Sequence, residues 1–136
     1  MSDAPAVIAV VDDDAAFGEL VLDIVASEGL VGMAVSPRGS VVDRLREVRA
    51  ALIIMDWRLG EGQEGPTAEP LLRDIADDPE LRATPVLVCS ADMAALREHV
   101  PLLPTELSVT VLEKPFGVEA FIGVVHEALA RSGVTR

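Results

Sequence analysis

Five apolar runs, residues 6–11, 30–35, 51–55, 86–89 and 109–112, carry no charge and are separated by stretches with helical spacing. A strand that is apolar at every position, rather than at every second one, belongs in a parallel sheet covered on both faces. The segments between the runs supply the cover. Phe17, Leu20, Ile24 and Val25 form one helical stripe, with Gly29 placed to end it. Val41, Val42, Leu45 and Val48 form a second, entered through Ser36-Pro37, and Leu71, Leu72, Ile75 and Ala76 a third, ending near Asp78-Pro79. Asp92 is placed to cap a short helix over Met93–His99, which Pro101 and Pro104 stop, leaving 100–107 irregular. Val118, Phe121, Ile122, Val125 and Leu129 form the last and clearest stripe. Five such units with short loops predict an α/β fold: one domain over residues 1–136, a doubly wound five-stranded parallel sheet with right-handed crossovers.

Open α/β sheets bind ligands at the carboxyl ends of their strands, and this chain puts its chemistry there. Asp12-Asp13-Asp14 follows the first run, Asp56 the third, Ser90 the fourth and Lys114-Pro115-Phe116 the fifth. Carboxylates brought together at Asp12, Asp13 and Asp56 repel unless protonated or bridged by a cation. A donor set made only of oxygens favours Mg²⁺ or Mn²⁺. Asp14 is as well explained by capping the following helix. The Lys114 ammonium is placed to neutralise a carboxylate and a phosphate oxygen together, and the Ser90 hydroxyl to donate to one. Taken alone, Ser90 reads as a turn residue and Lys114 as a solvated charge. Trp57 reads as a partly buried wall of the site, and His99 and His126 as surface residues on helices.

Composition narrows the function classes. Eleven bases against 23 acids give a net charge of −12, which argues against nucleic acid as a partner. The single cysteine, Cys89, lies within an apolar run and reads as a small core residue. Residues 1–5 lack a signal-peptide pattern, and no apolar run reaches the length of a membrane span. These features predict a soluble, cytoplasmic protein with no membrane partner.

The segments Val10-Val11-Asp12-Asp13-Asp14, Ile53-Ile54-Met55-Asp56-Trp57, Ser90-Ala91 and Lys114-Pro115-Phe116 resemble the receiver domain of two-component response regulators. The resemblance runs from about residue 6 to 131 and implies a flavodoxin-like (βα)₅ fold with strand order 2-1-3-4-5. It implies that Asp56 accepts a phosphoryl group and that Asp12, Asp13, Asp56 and the Arg58 backbone carbonyl hold Mg²⁺. Ser90 and Lys114 take the places of the switch hydroxyl and the conserved lysine, whose bond to Pro115 is cis. The implied donor is a sensor histidine kinase or phosphotransfer protein, and the output is a downstream protein target. Such a domain signals rather than turns over substrate, with at most slow self-dephosphorylation. Arg58 and Asp92, flanking the implied water path with opposite charge, are expected to pair across the mouth of the site.

The chain departs from the family's pattern in three places. The run from Arg58 to Pro66 is longer and richer in glycine and acid; Val111 stands where an aromatic switch residue is expected; Pro101 and Pro104 alter the fourth helix. Two other readings follow: a degenerate receiver that binds proteins without phosphorylation, and a haloacid-dehalogenase-type phosphatase built on Asp12-Asp13-Asp14. The second needs a further acidic pair after Lys114, for which only Glu119 and Glu127 are available.

Overall fold

The computed structural model describes residues 6–12, 14–59, 67–99, 101 and 108–131. Strand and helix alternate as β1 (Val7–Val11), α1 (Ala15–Ser27), β2 (Val31–Val35), α2 (Val41–Val48), β3 (Leu52–Asp56), α3 (Glu69–Asp77), β4 (Val86–Ser90), α4 (Met93–His99), β5 (Val109–Glu113) and α5 (Val118–Arg131). The strands form one sheet in the order β2-β1-β3-β4-β5, every pair parallel. This is the doubly wound, flavodoxin-like arrangement expected from the sequence.

Two apolar layers hold the sheet. On one face Leu45, Leu72, Ile75 and Leu96 pack against Ile53, Met55 and Val88. On the other, Val21, Ile24, Phe121, Val125 and Leu129 pack against Ile8, Ile54 and Leu87. Burying each such side chain contributes about 1.5–3 kcal/mol, which is why the stripes rather than helix propensity fix the helices. Gly32 sits under α1: a Cβ there would lie 2.5 Å from Leu22 Cδ2 and 2.9 Å from Val25 Cγ2. The missing side chain lets α1 rest directly on β2. The end of α1 is set as the sequence suggests. Gly29 adopts φ +76°, with Gly29 N–H donating to the Ala26 carbonyl and Leu30 N–H to that of Val25.

Two expectations need correction. The apolar runs are not all buried on both faces. β1, β3 and β4 are buried along nearly their whole length, whereas β2 and β5 at the sheet edges are half open, with Val31 and Met33 exposed. An edge strand has a neighbour on one side only, and its composition does not record that. Val118 likewise stands exposed at the first turn of α5. The irregular connection expected at 100–107 lies, apart from residue 101, outside the described residues.

Candidate functional site at the strand ends

The register brings the polar groups level. Val11 pairs with Met55, so Asp12 and Asp56 follow at one height on adjacent strands. Asp56 pairs with Cys89, so Ser90 ends β4 next to it, and Ser90 pairs with Glu113, the residue before Lys114. A backbone bond from Lys114 N–H to the Ser90 carbonyl at 2.8 Å ties these two ends together. The Lys114–Pro115 peptide is cis, as the resemblance implies.

Asp56 is held at both oxygens. Its Oδ1 accepts from the Arg58 N–H at 3.1 Å, and its Oδ2 from the Lys114 ammonium at 2.5 Å. The carboxylate therefore has one orientation fixed by the protein. Asp12 is only half satisfied. Its Oδ1 accepts from the Asp14 N–H at 2.8 Å, while its Oδ2 is buried without a partner among the described residues. Burial is the largest influence on this carboxyl, and the Asp14 N–H opposes it. The nearby charges of Asp56 and Lys114 then act in opposite directions, and the acid is left pushed up to about 6.

A buried carboxylate oxygen with nothing bonded to it is the kind of donor that a hard cation satisfies. Asp12 and Asp56 supply two carboxylates, the number Mg²⁺ usually takes from a protein beside water and phosphate. Asp13 lies outside the described residues. Among those described, no group of three His, Cys, Asp or Glu side chains is gathered closely enough to hold an ion. The two described carboxylates are hard oxygen donors of the kind Mg²⁺ takes.

The other predicted residues fall as follows. Asp14 caps α1, its Oδ1 accepting from the N–H groups of Ala16 and Phe17. Ser90 is buried, and its hydroxyl accepts from the Asp92 N–H at 2.9 Å, the local turn role weighed for it. Arg58 Nη2 and Asp92 Oδ2 lie 3.7 Å apart, the pair expected at the rim. Val111 is partly buried and packs with the α2/α3-side layer. Residues 60–66 of the long run lie outside the described set, but an antiparallel bridge between Arg58 and Thr67 closes its base. Cys89 is a buried core residue whose thiol burial pushes up to about 12. Glu119 and Glu127 are exposed on α5, and among the described residues no group of three acidic side chains is gathered.

Trp57 requires correction: it is fully buried among Leu72, Ile75 and Met55 and is no wall of the site. His126 is not simply solvated, since its Nε2 lies 2.9 Å from Glu28 Oε1, joining α5 to the end of α1. The side chain of His99 lies outside what is described.

Sequence reasoning missed Phe17. Its ring lies beneath the Lys114 ammonium, 3.7 Å from Nζ to the ring centroid. A usable signal existed: the residue is in the first turn of α1, the end of that helix nearest the strand ends.

Comparisons with known proteins agree on the architecture. No family model matches the chain, and no curated protein matches it in sequence. Solved structures do match. A sensor protein from Polaromonas sp. JS666 shares 20% identity, with 93% of this chain and 98% of that one covered and a TM-score of 0.77. The chemotaxis response regulator CheY4 of Vibrio cholerae shares 15% identity, over 91% and 98%, with a TM-score of 0.75. The beryllofluoride-activated NtrC4 receiver domain shares 17% identity, over 93% and 98%, with a TM-score of 0.71. At such identities the likeness is one of fold. Nearly the whole chain has the fold of CheY-like response-regulator receiver domains.

Proposed function

We propose that the chain is a phospho-accepting receiver, with Asp56 as the acceptor and a protein-binding surface as its output. One observation carries the reading: across 58 residues of sequence, Lys114 is bonded to Asp56 at 2.5 Å beside the unpartnered Oδ2 of Asp12. An acceptor carboxylate, a fixed ammonium and an anionic oxygen awaiting a cation are what phosphoryl transfer requires of a protein. Positioning and charge stabilisation supply most of its catalysis.

In the transfer, an Asp56 oxygen forms a bond to phosphorus in line with the bond that breaks. The leaving group, imidazole of a phosphohistidine or acetate of acetyl phosphate, departs with that electron pair. Lys114 passes from the carboxylate to a phosphoryl oxygen and offsets its charge. Asp12, Asp13, Asp56 and the Arg58 carbonyl are the groups to hold Mg²⁺, which when bound neutralises charge on the transferring phosphoryl group. The Ser90 hydroxyl, now accepting from Asp92, turns toward the new dianion, and the loop after β4 moves with it. The phosphoryl donor is a histidine kinase or phosphotransfer protein, and the protein works in the cytoplasm through another protein. No described helix is long and apolar enough to cross a membrane.

Intact mass after incubation with acetyl phosphate and Mg²⁺ tests the reading. The wild type gains one base-labile phosphoryl group and Asp56→Asn gains none. A modification that survives Asp56→Asn and disappears in Asp12→Asn would instead favour the phosphatase-like chemistry.

A further inference from the structure

The sequence contains one lysine and three phenylalanines, and the fold gathers all four. Lys114 Nζ lies 3.7 Å from the centroid of Phe17 while bonded to Asp56. Phe17 meets Phe116 edge to face, with centroids 6.2 Å apart and ring planes at 76°. Phe116 stacks on Phe121 at 5.1 Å and 15°, and Phe121 is fully buried. The seat under the lysine is thus anchored in the core. Its other support is Asp14, whose carboxylate accepts from the Phe17 N–H at 3.3 Å and fixes the turn that presents the ring.

A lysine side chain has much rotamer freedom to lose, and Asp56 alone holds it only while that carboxylate is free. During transfer the ammonium must exchange one acceptor for another. An aromatic face attracts a cation through its quadrupole and makes no demand for a single hydrogen-bond direction. It can therefore hold the ammonium on both sides of that exchange. We propose that Phe17 is a positioning residue whose ring face keeps the Lys114 ammonium at the acceptor during phosphoryl transfer. This rests on the reading of Asp56 as acceptor. The contrasting role is apolar cover for the lysine stem, which a leucine would provide equally well.

Because Lys114 is the only lysine, selective ¹³C-lysine labelling gives a single ε-CH₂ signal. In the wild type and in Phe17→Tyr this signal is displaced upfield by the ring current; in Phe17→Leu it returns to the position of an exposed lysine. Phosphorylation by acetyl phosphate with Mg²⁺ slows about two- to thirty-fold in Phe17→Leu, and Phe17→Tyr restores it. The loss lies in the maximal rate constant and not in the acetyl phosphate concentration at half-maximal rate. Phe17→Leu reacting at the wild-type rate while Asp56→Asn stays inert would overturn this proposal alone. So would Phe17→Tyr reacting as slowly as Phe17→Leu. A wild type that takes no phosphoryl group would refute the acceptor reading, and the proposal with it.

Discussion

At the scale of single residues, the strand ends bring together groups that their described neighbours satisfy unevenly. Asp12 keeps a buried oxygen unpaired, and Lys114 is divided between a carboxylate and a ring. The rim pair of Arg58 and Asp92 is weaker, since its side chains are 29% and 49% exposed. A pair so exposed contributes about 0.2–1 kcal/mol. If it hinders water from reaching phospho-Asp56 in line, Arg58→Ala and Asp92→Ala each speed dephosphorylation by up to about fivefold. The double variant should then be little faster than either single one. Decay of the phosphorylated species, followed by intact mass, checks this; effects that add on the logarithm of the rate would show two independent residues. Position along the chain made Asp12, Asp56, Ser90 and Lys114 legible as strand-end residues, because the first three directly follow an apolar run and Lys114 lies one residue beyond the end of another. Trp57 was misread, and Phe17, rightly placed on the α1 stripe, was not linked to Lys114, because the fold rather than the sequence spacing decides which wall a large ring meets.

At the scale of elements, α2 is latched to the turn after α3. The Arg46 guanidinium donates to Asp78 Oδ2 through Nε at 2.6 Å and forms a second, shorter contact to the same oxygen through Nη2. Asp78 Oδ1 meanwhile accepts from the N–H groups of Glu80 and Leu81. The bond from Arg46 is the main reason the Asp78 carboxyl is held below its ordinary value of 3.8. A carboxylate lowered on folding adds stability above its unfolded value, and that stability is lost as pH falls through the folded one. Urea midpoints should therefore decline below about pH 4, the ordinary carboxylate range. Asp78→Asn should start lower at neutral pH and decline less on acidification; an unchanged acid limb would exclude the latch. Gly32 gives a second test. In Gly32→Val the added side chain meets Leu22 and Val25, so these side chains must turn aside or α1 lift from β2, at a cost of about 1–3 kcal/mol. The denaturant midpoint should fall with the slope unchanged, and an unaltered midpoint would show that α1 yields freely. The helical stripes were legible because burial imposes their period, except at Leu20 of α1, which stands exposed while its neighbour Val21 takes the buried place. The openness of β2 and β5 was not, because edge position is decided by pairing between distant segments.

At the scale of the whole molecule, topology converts a dispersed set of residues into one site. Parallel strands in the order β2-β1-β3-β4-β5 put the ends of β1 and β3 side by side, with β4 and β5 beside them. The α1 helix carries no basic residue, and the chain as a whole has a net charge of −12. The order of elements, and the gathering of Asp12, Asp56, Ser90 and Lys114 at neighbouring strand ends, were readable from where the apolar runs stop. The strand order came from resemblance rather than from the runs themselves, since five similar strands admit several orders. The central claim is that a phosphoryl group is carried by Asp56 and by no other carboxylate. It is tested most directly by treating the phosphorylated protein with borohydride, which reduces an acyl phosphate to an alcohol, and locating the reduced residue by peptide sequencing in a mass spectrometer. The account predicts homoserine at position 56 alone, and homoserine at position 12, or at none, would contradict it.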